Sequence, residues 1–104
     1  MSLDRYATAG EKKVVTELVR LLLEAGHELT VFDGEEYTLR HSTNRDAILA
    51  ALATTEEDQL FTETMSFELL YGNAEDGSEV ITDYAADDLT EADGFFNKAY
   101  EVLL

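Results

Sequence analysis

The chain of 104 residues is long enough for one domain and too short for two, so we expect a single domain over residues 1–104. Hydrophobic residues make up 45% of the chain and charged residues 29%, a composition typical of globular proteins. The absence of cysteine excludes disulfides, thiolate metal sites and cysteine nucleophiles. No apolar run approaches the length of a membrane span and no signal-peptide pattern is present. We therefore expect a cytoplasmic protein that does not contact a membrane.

The negative charge is large and unevenly distributed. The net charge of −16 argues against direct binding of nucleic acid or of an anionic membrane. Residues 1–45 hold eight acids and six bases, whereas residues 46–104 hold fifteen acids and one base, Lys98. Solubility usually requires a smaller net charge in a small domain, and adaptation to high salt should acidify the whole surface. The asymmetry therefore indicates that the C-terminal half faces a basic partner.

The first predicted element is a helix that begins after Thr8 and ends before Gly26. Thr8 and Glu11 stand at capping-box spacing, and Gly26 follows the last periodic residue as a left-handed terminator. The apolar stripe of this helix is Val14, Leu18, Leu21, Leu22 and Ala25, and the apolar residues beside it are Val15, Val19 and Leu23. This arc is wider than one sheet face covers. We expect the helix to lie between a sheet and a second helix, and a homodimer interface through this helix is the alternative.

A β-hairpin is predicted over residues 28–41, around the turn residues Asp33 and Gly34. Pairing Val31 with Tyr37 leaves a loop of three residues, 33–35. In this register four apolar side chains share one face of the hairpin: Leu29, Val31, Tyr37 and Leu39. A register shifted by one residue would pair apolar with polar side chains.

The remaining elements complete an αββαβββα order. A short second helix has Thr43 as its predicted N-cap, with Asp46 at the capping-box position. Residues 54–58 are polar and are predicted to be a connection. Three strands are then predicted over residues 59–64, 66–71 and 79–84. The last helix has Thr90 as its predicted cap. Hairpin-linked strands with helices between them predict an α+β fold with an antiparallel sheet of about five strands.

Motifs for catalysis and metal binding are weak. His27 and His41 are the only histidines, and no recognisable ligand spacing surrounds either of them. The sequence has no nucleophile elbow, phosphate loop or dinucleotide fingerprint. Pairs of carboxylates arise by chance among 23 acids. We therefore expect no enzyme activity, no catalytic residue, no cofactor and no metal site.

Two neighbouring strands of the C-terminal half place Glu68 opposite Asp83, beside the apolar Leu70 and Ile81. Like charges in opposite positions destabilise a sheet, and apolar side chains next to carboxylates suit a protein interface. We predict a non-enzymatic acidic interaction module that binds a basic protein surface, in one version as a nucleic-acid mimic or inhibitor. The residues predicted to bind the partner are Glu68, Glu75, Asp76, Glu79, Asp83, Asp87 and Asp88. The alternative is a small-ligand or cation-binding domain that uses the loop of residues 72–78.

Three short runs of the chain resemble a pattern in small uncharacterised acidic proteins of bacterial and phage type. The runs are Val31-Phe32-Asp33-Gly34-Glu35-Glu36, Leu70-Tyr71-Gly72-Asn73 and Val80-Ile81-Thr82-Asp83-Tyr84. The motifs in these runs are structural. The resemblance therefore implies no activity, partner or site residue.

Overall fold

A computed structural model describes residues 6–73 and 75–104, which form three helices, a short 3₁₀ turn and five strands. The helices are α1 (Ala9–Glu24), α2 (Arg45–Ala51) and α3 (Leu89–Tyr100), and the 3₁₀ turn is Glu101–Leu103. The strands are β1 (Leu29–Phe32), β2 (Tyr37–Ser42), β3 (Glu57–Phe61), β4 (Met65–Leu70) and β5 (Ile81–Ala86). They form one sheet in the order β2-β1-β3-β4-β5, and every neighbouring pair is antiparallel. The predicted α+β class and αββαβββα order are confirmed.

The core lies between the helices and one face of the sheet. Alternate side chains of β3 and β4 are buried, and they belong to the same cluster as the apolar side chains of the helices. This alternation is what a sheet with one covered face requires. The opposite face carries the half-buried and exposed residues of the same strands. Among helices in the described ranges, none has the length and hydropathy needed to cross a bilayer.

Helix α1 has the predicted ends and packs against other elements of the same chain. The Thr8 hydroxyl accepts a hydrogen bond from the Glu11 N–H, and the Glu11 carboxylate accepts one from the Thr8 N–H. Gly26 follows the helix with φ +91°, a value that favours glycine. Val15 and Val19 have no exposed surface, because α1 contacts both α2 and α3. The packing between sheet and helices is confirmed, and the homodimer hypothesis loses the observation on which it depended.

The hairpin of β1 and β2 has a different register from the predicted one. Val31 pairs with Leu39, so the predicted pairing of Val31 with Tyr37 is wrong. The Asp33 carboxylate accepts hydrogen bonds from the backbone N–H groups two and three residues later, at 2.9 Å each. This turn makes the loop four residues long, 33–36, and the register shifts with it. Tyr37 is consequently 47% exposed and does not belong to the apolar face of the hairpin.

Two helices begin at caps other than the predicted ones. Asn44, not Thr43, is the N-cap of α2, and its side-chain oxygen accepts a hydrogen bond from the Ala47 N–H at 3.0 Å. Asp88 is the N-cap of α3, and its carboxylate accepts a hydrogen bond from the N–H of Thr90, the predicted cap. Asparagine and aspartate cap helices better than threonine does, so the caps shift to these neighbours.

Strand β3 begins earlier than predicted. It starts at Glu57, inside residues 54–58, where the sequence predicts a connection. Asp58 faces the core and is 2% exposed. An acid in an inward position breaks the alternation of apolar and polar residues that marks a strand. That acidic residue is why the sequence pattern misplaced the strand boundary.

Strands β4 and β5 place Glu68 opposite Asp83, as predicted. A β-bulge follows, so Leu69 pairs with Ile81, whereas a regular antiparallel ladder would pair it with Thr82. The bulge leaves Thr82 unpaired and turns Ile81 towards the core. Ile81 is 5% exposed, so the prediction that placed it on the same face as Glu68 is wrong.

Candidate interaction surface

The sheet face opposite the helices, here called the open face, is covered by no element within residues 6–73 and 75–104. Strand pairing arranges its side chains in three rows across the sheet. The first row is Thr30, Phe61, Ser66 and Ala85, the middle row is Phe32, Gln59, Glu68 and Asp83, and the third row contains Glu57 and Leu70. Three neighbouring strands therefore each contribute one carboxylate to the open face.

A groove of about 440 Å³ lies between the middle and third rows. Its lining includes the apolar Phe32 and Leu70 and the acidic Glu57 and Glu68. Leu70 is 36% exposed, and it is one of the few large apolar side chains with that much free surface. The lining of the groove thus combines apolar side chains with carboxylates.

A hydrogen bond positions the Glu68 carboxylate, and the loop after β1 lies close to the Glu57 carboxylate. The side-chain amide of Gln59 donates a hydrogen bond to Glu68 Oε1 at 3.2 Å. Gly34, in the loop between β1 and β2, lies against Glu57, because a Cβ atom added to the glycine would stand 3.3 Å from Glu57 Oε1. Gly34 also has φ +102°, which other residues rarely adopt. Glycine at this position therefore lets the loop form one wall of the groove.

A second, shallower groove of about 600 Å³ continues from the first. The two grooves share Gly34, Glu57 and Leu70, and the second is also lined by Tyr6, Asp33, Glu35, Thr55 and Glu56. Hydrogen bonds from the backbone N–H groups of residues 36 and 35 lower the pKa of Asp33, which keeps its carboxylate ionised at neutral pH. The acidic surface therefore includes residues of the N-terminal half, which the distribution of charge along the chain did not indicate.

No basic residue is among the described residues that line either groove. Arg20 forms ion pairs with two glutamates of α1, and the Arg40 guanidinium lies 4.2 Å from the centroid of the Tyr37 ring. In the part of the chain that the structure describes, no ion pair involves the carboxylates of the open face. Their charge is neutralised by no neighbouring side chain in that part.

The seven residues predicted to bind a partner do not form one cluster. Glu68 and Asp83 are neighbours on the open face. Glu75, Asp76 and Glu79 precede β5, whereas Asp87 and Asp88 follow it. The six residues of β5 lie between these two groups, and a strand of six residues is about 20 Å long. Only the pair on the open face therefore supports the predicted site by its position.

Asp76 and Asp88, at a turn and at a helix end, have local structural roles. The Asp76 carboxylate accepts a hydrogen bond from the Ser78 N–H at 2.9 Å, and this bond lowers its pKa. Asp88 caps α3. Residues that shape a turn or a helix end are less free to reorganise around a partner.

Within the loop of residues 72–78, residues 72–73 and 75–77 contact the start of α1. The buried Glu11 carboxylate accepts hydrogen bonds from the Gly72 and Asn73 N–H groups at 2.8 and 2.9 Å. A Cβ atom on Gly10 would stand 2.1 Å from the backbone of Asp76, so only glycine permits this close approach. Among the described residues, no three His, Asp or Glu side chains converge on a point where a metal ion could bind. Polar groups of this loop are thus used in contacts within the chain.

A buried acid lies directly behind the groove. Asp58 Oδ2 accepts hydrogen bonds from the Tyr71 hydroxyl at 2.6 Å and from the Ala53 N–H at 2.8 Å. Asp58 Oδ1 has no partner in the described chain. Burial raises the pKa of Asp58 to about 6, although the two hydrogen bonds oppose the shift. The sequence pattern missed this residue, because an inward-facing acid resembles part of a polar connection.

Comparisons with known proteins do not assign this chain to a family. No protein-family model matches the chain, and neither the curated proteins nor the solved structures include a significant match.

Proposed function

We propose that this protein is a non-enzymatic acidic interaction module that binds a basic protein surface through the open face. The observation that carries the proposal is the direct opposition of Glu68 and Asp83, with no ion pair to either carboxylate in the described chain. Like charges in opposite positions of a sheet repel each other and lower the stability of the free protein. Lysine or arginine side chains of a partner relieve that repulsion when they dock.

The apolar side chains of the open face support protein binding over simple solvation. Leu70 stands beside the carboxylates and Phe32 lies in the same row as Glu68. A surface that existed only for solubility gains nothing from exposed apolar groups. Protein interfaces combine apolar contact with charges that steer association, and such association is fast and sensitive to salt.

The charge density of the open face favours a general basic protein surface over close mimicry of duplex DNA. Neighbouring strands are about 4.8 Å apart, so Glu57, Glu68 and Asp83 present roughly one charge per strand spacing. Duplex DNA carries one charge per about 1.7 Å of its axis. The nucleic-acid mimic is therefore the narrower version of the proposal, and displacement of DNA is the measurement that separates the two versions.

The test uses purified core histones, whose basic surfaces normally hold DNA. Binding of the wild type is measured by biolayer interferometry in 0.15 M NaCl. At this salt concentration, interactions between exposed charges more than about 8 Å apart are largely screened. A variant with Glu68→Gln and Asp83→Asn should bind about tenfold more weakly. The matched control, Glu91→Gln with Glu101→Gln, removes the same charge from the exposed side of the helices and should bind within about twofold of the wild type.

The outcomes separate a specific surface from diffuse charge. An equal loss of affinity in both variants would show that net charge, rather than the open face, determines binding. A wild type that does not bind histones in 0.15 M NaCl would contradict the proposed function. Release of a labelled duplex from the histones by the wild type would support the mimic version, and binding without release would limit the function to another basic surface.

A further inference from the structure

We propose that the groove on the open face binds one arginine or lysine side chain of the basic partner, presented by an extended segment that lies across the sheet. Glu57 and Glu68 hold the cationic head group, and Phe32 and Leu70 contact the aliphatic stem. This inference rests on the proposed function, and it names the chemical group that the acidic surface recognises.

The spacing of the two carboxylates suits a bridging cation. Glu57 pairs with Leu70, and Gln59 pairs with Glu68, so the two glutamates are diagonal neighbours on adjacent strands. Diagonal neighbours on one face of an antiparallel pair are about 7–8 Å apart. A planar guanidinium has donors on both sides, and it reaches two carboxylates that approach it from opposite directions. The Gln59 amide holds Glu68 from the side and leaves the second carboxylate oxygen for the ligand.

The apolar residues that line the groove match the stem of the same side chain. Lysine and arginine place their methylene groups on apolar surface while the charged end remains among polar groups. Leu70 offers exposed apolar surface here. The Phe32 ring packs against the Tyr37 ring, with centroids 4.9 Å apart, so its position is defined. An aromatic ring near a cation adds a favourable electrostatic contact. The volume of about 440 Å³ is within the range of small-ligand sites, about 300–1,000 Å³.

The charge of the lining selects a cation over other ligands. The charged side chains that line the two connected grooves are all acidic. The low pKa of Asp33 follows from the hydrogen bonds that its carboxylate accepts from backbone N–H groups, so it remains negative when the grooves are free. An anionic or neutral side chain would leave these charges uncompensated.

One edge strand of the sheet, β5, is poorly suited to pairing with a strand of the partner. An added strand needs free backbone donors and acceptors at an edge. On the edge strand β5, the Ile81 N–H already donates to the Tyr100 hydroxyl at 2.9 Å, and the Tyr84 N–H donates to Asp83 Oδ1 at 2.8 Å. Strand addition at β5 is therefore disfavoured. The two connected grooves instead offer an extended segment a path across the strands.

The test is a titration of the full ¹⁵N-labelled chain with the tripeptide acetyl-Gly-Arg-Gly-amide, followed by amide chemical shifts in 0.15 M NaCl. This measurement detects weak binding and locates it. We expect saturable shifts centred on Gly34, Gln59, Leu70 and Thr82, which line the groove. The same tripeptide with citrulline keeps the shape of arginine without its charge, and it should cause no saturable shift. The lysine tripeptide should shift the same amides.

Matched variants test the two carboxylates. Glu57→Gln with Glu68→Gln should raise the Kd for the arginine tripeptide by about tenfold. The control Glu91→Gln with Glu101→Gln removes the same charge from the helix side and should leave the Kd within about twofold. Leu70→Ser should weaken binding of the arginine tripeptide while leaving the carboxylates in place, because the stem loses its apolar contact.

Three results would overturn the inference. These are shifts spread equally over the acidic residues of the loop and helices, equal shifts with citrulline, and equal losses in the test and control variants. If the tripeptide does not bind but the histones do, and their binding depends on Glu68 and Asp83, the groove assignment is wrong and the proposed function stands. If neither binds, both are wrong.

Discussion

Replacement of Asp58 by asparagine removes a negative charge from the core and keeps an oxygen that can accept the hydrogen bonds of Tyr71 and Ala53. In the folded chain, burial raises the pKa of Asp58 to about 6, whereas aspartate in an unfolded chain has a pKa of about 3.9. Between these pH values the folded state keeps a proton that the unfolded state has lost. The contribution of Asp58 to stability is therefore complete below pH 3.9 and is lost as the pH rises through 6.

The size of the effect follows from the folded pKa. One pH unit corresponds to about 1.36 kcal/mol, so the wild type should lose about 1.4 kcal/mol of unfolding free energy from this group between pH 5 and pH 8. The asparagine variant has no proton to lose. The new amide N–H₂ stands where Asp58 Oδ1 lacks a partner, and this cost is the same at each pH. The unfolding free energy of the variant minus that of the wild type should therefore become more positive by about 1.4 kcal/mol from pH 5 to pH 8.

The assay is urea unfolding at pH 5, 6, 7 and 8 in 0.15 M NaCl, followed by circular dichroism. This range stays above the isoelectric point of about 4.1, where the protein would associate. Asp87→Asn is the matched control, because it removes an exposed charge and its difference from the wild type should not change with pH. Tyr71→Phe removes a hydrogen bond that lowers the pKa of Asp58, so it should move the pH-dependent loss to higher pH.

A difference between Asp58→Asn and the wild type that stays constant from pH 5 to pH 8 would refute the reasoning. It would show that Asp58 has the same pKa in the folded and unfolded states. An equal change in the Asp87→Asn control would assign the pH dependence to the overall charge instead of the buried acid.

Three further predictions follow from the packing and the charge. Because the acidic surface repels itself, the urea midpoint of the wild type should be higher in 0.5 M than in 0.02 M NaCl, and an unchanged or lower midpoint would show that self-repulsion is unimportant. Val19→Glu places an unpaired charge where the side chain has no exposed surface, so it should lower the unfolding free energy by at least about 3 kcal/mol; only a dimeric wild type together with a folded, monomeric variant, both seen by sedimentation, would restore the homodimer hypothesis. Asp88→Ala removes the cap of α3 and should lower the unfolding free energy by about 1 kcal/mol, whereas Thr90→Ala should cost less, and the reverse ranking in urea unfolding would show that the cap is Thr90.

Features that depend on neighbouring residues could be predicted from the sequence. The capping box of Thr8 and Glu11 and the glycine after α1 are encoded within a few positions, and both are present. The order of helices and strands follows from periodicity for the same reason. Predictions failed at the N-caps of α2 and α3, where two neighbouring residues can each cap the helix. They also failed at the start of β3, where the buried acid interrupts the alternation of apolar and polar residues.

The candidate site depended on the tertiary structure. The opposition of Glu68 and Asp83 was predictable, because their strands are consecutive in the chain and the alternation of apolar residues indicates how they pair. The groove was not, since it brings Phe32 and Gly34 beside Glu57 through the pairing of β1 with β3. A helix and more than twenty residues of chain separate these segments, and no local pattern specifies which strands become neighbours.

The sequence by itself therefore determined the helices, the strands and the overall charge, because caps, periodicity and composition are local or additive properties. Only the tertiary structure decided which acids share a surface and which are enclosed. Asp58 and Glu57 are adjacent in the chain, yet one is buried behind the groove and the other forms its wall. Their different fates follow from the alternation of side chains across a sheet with one covered face, and the position of that sheet is set by the packing of the helices on it.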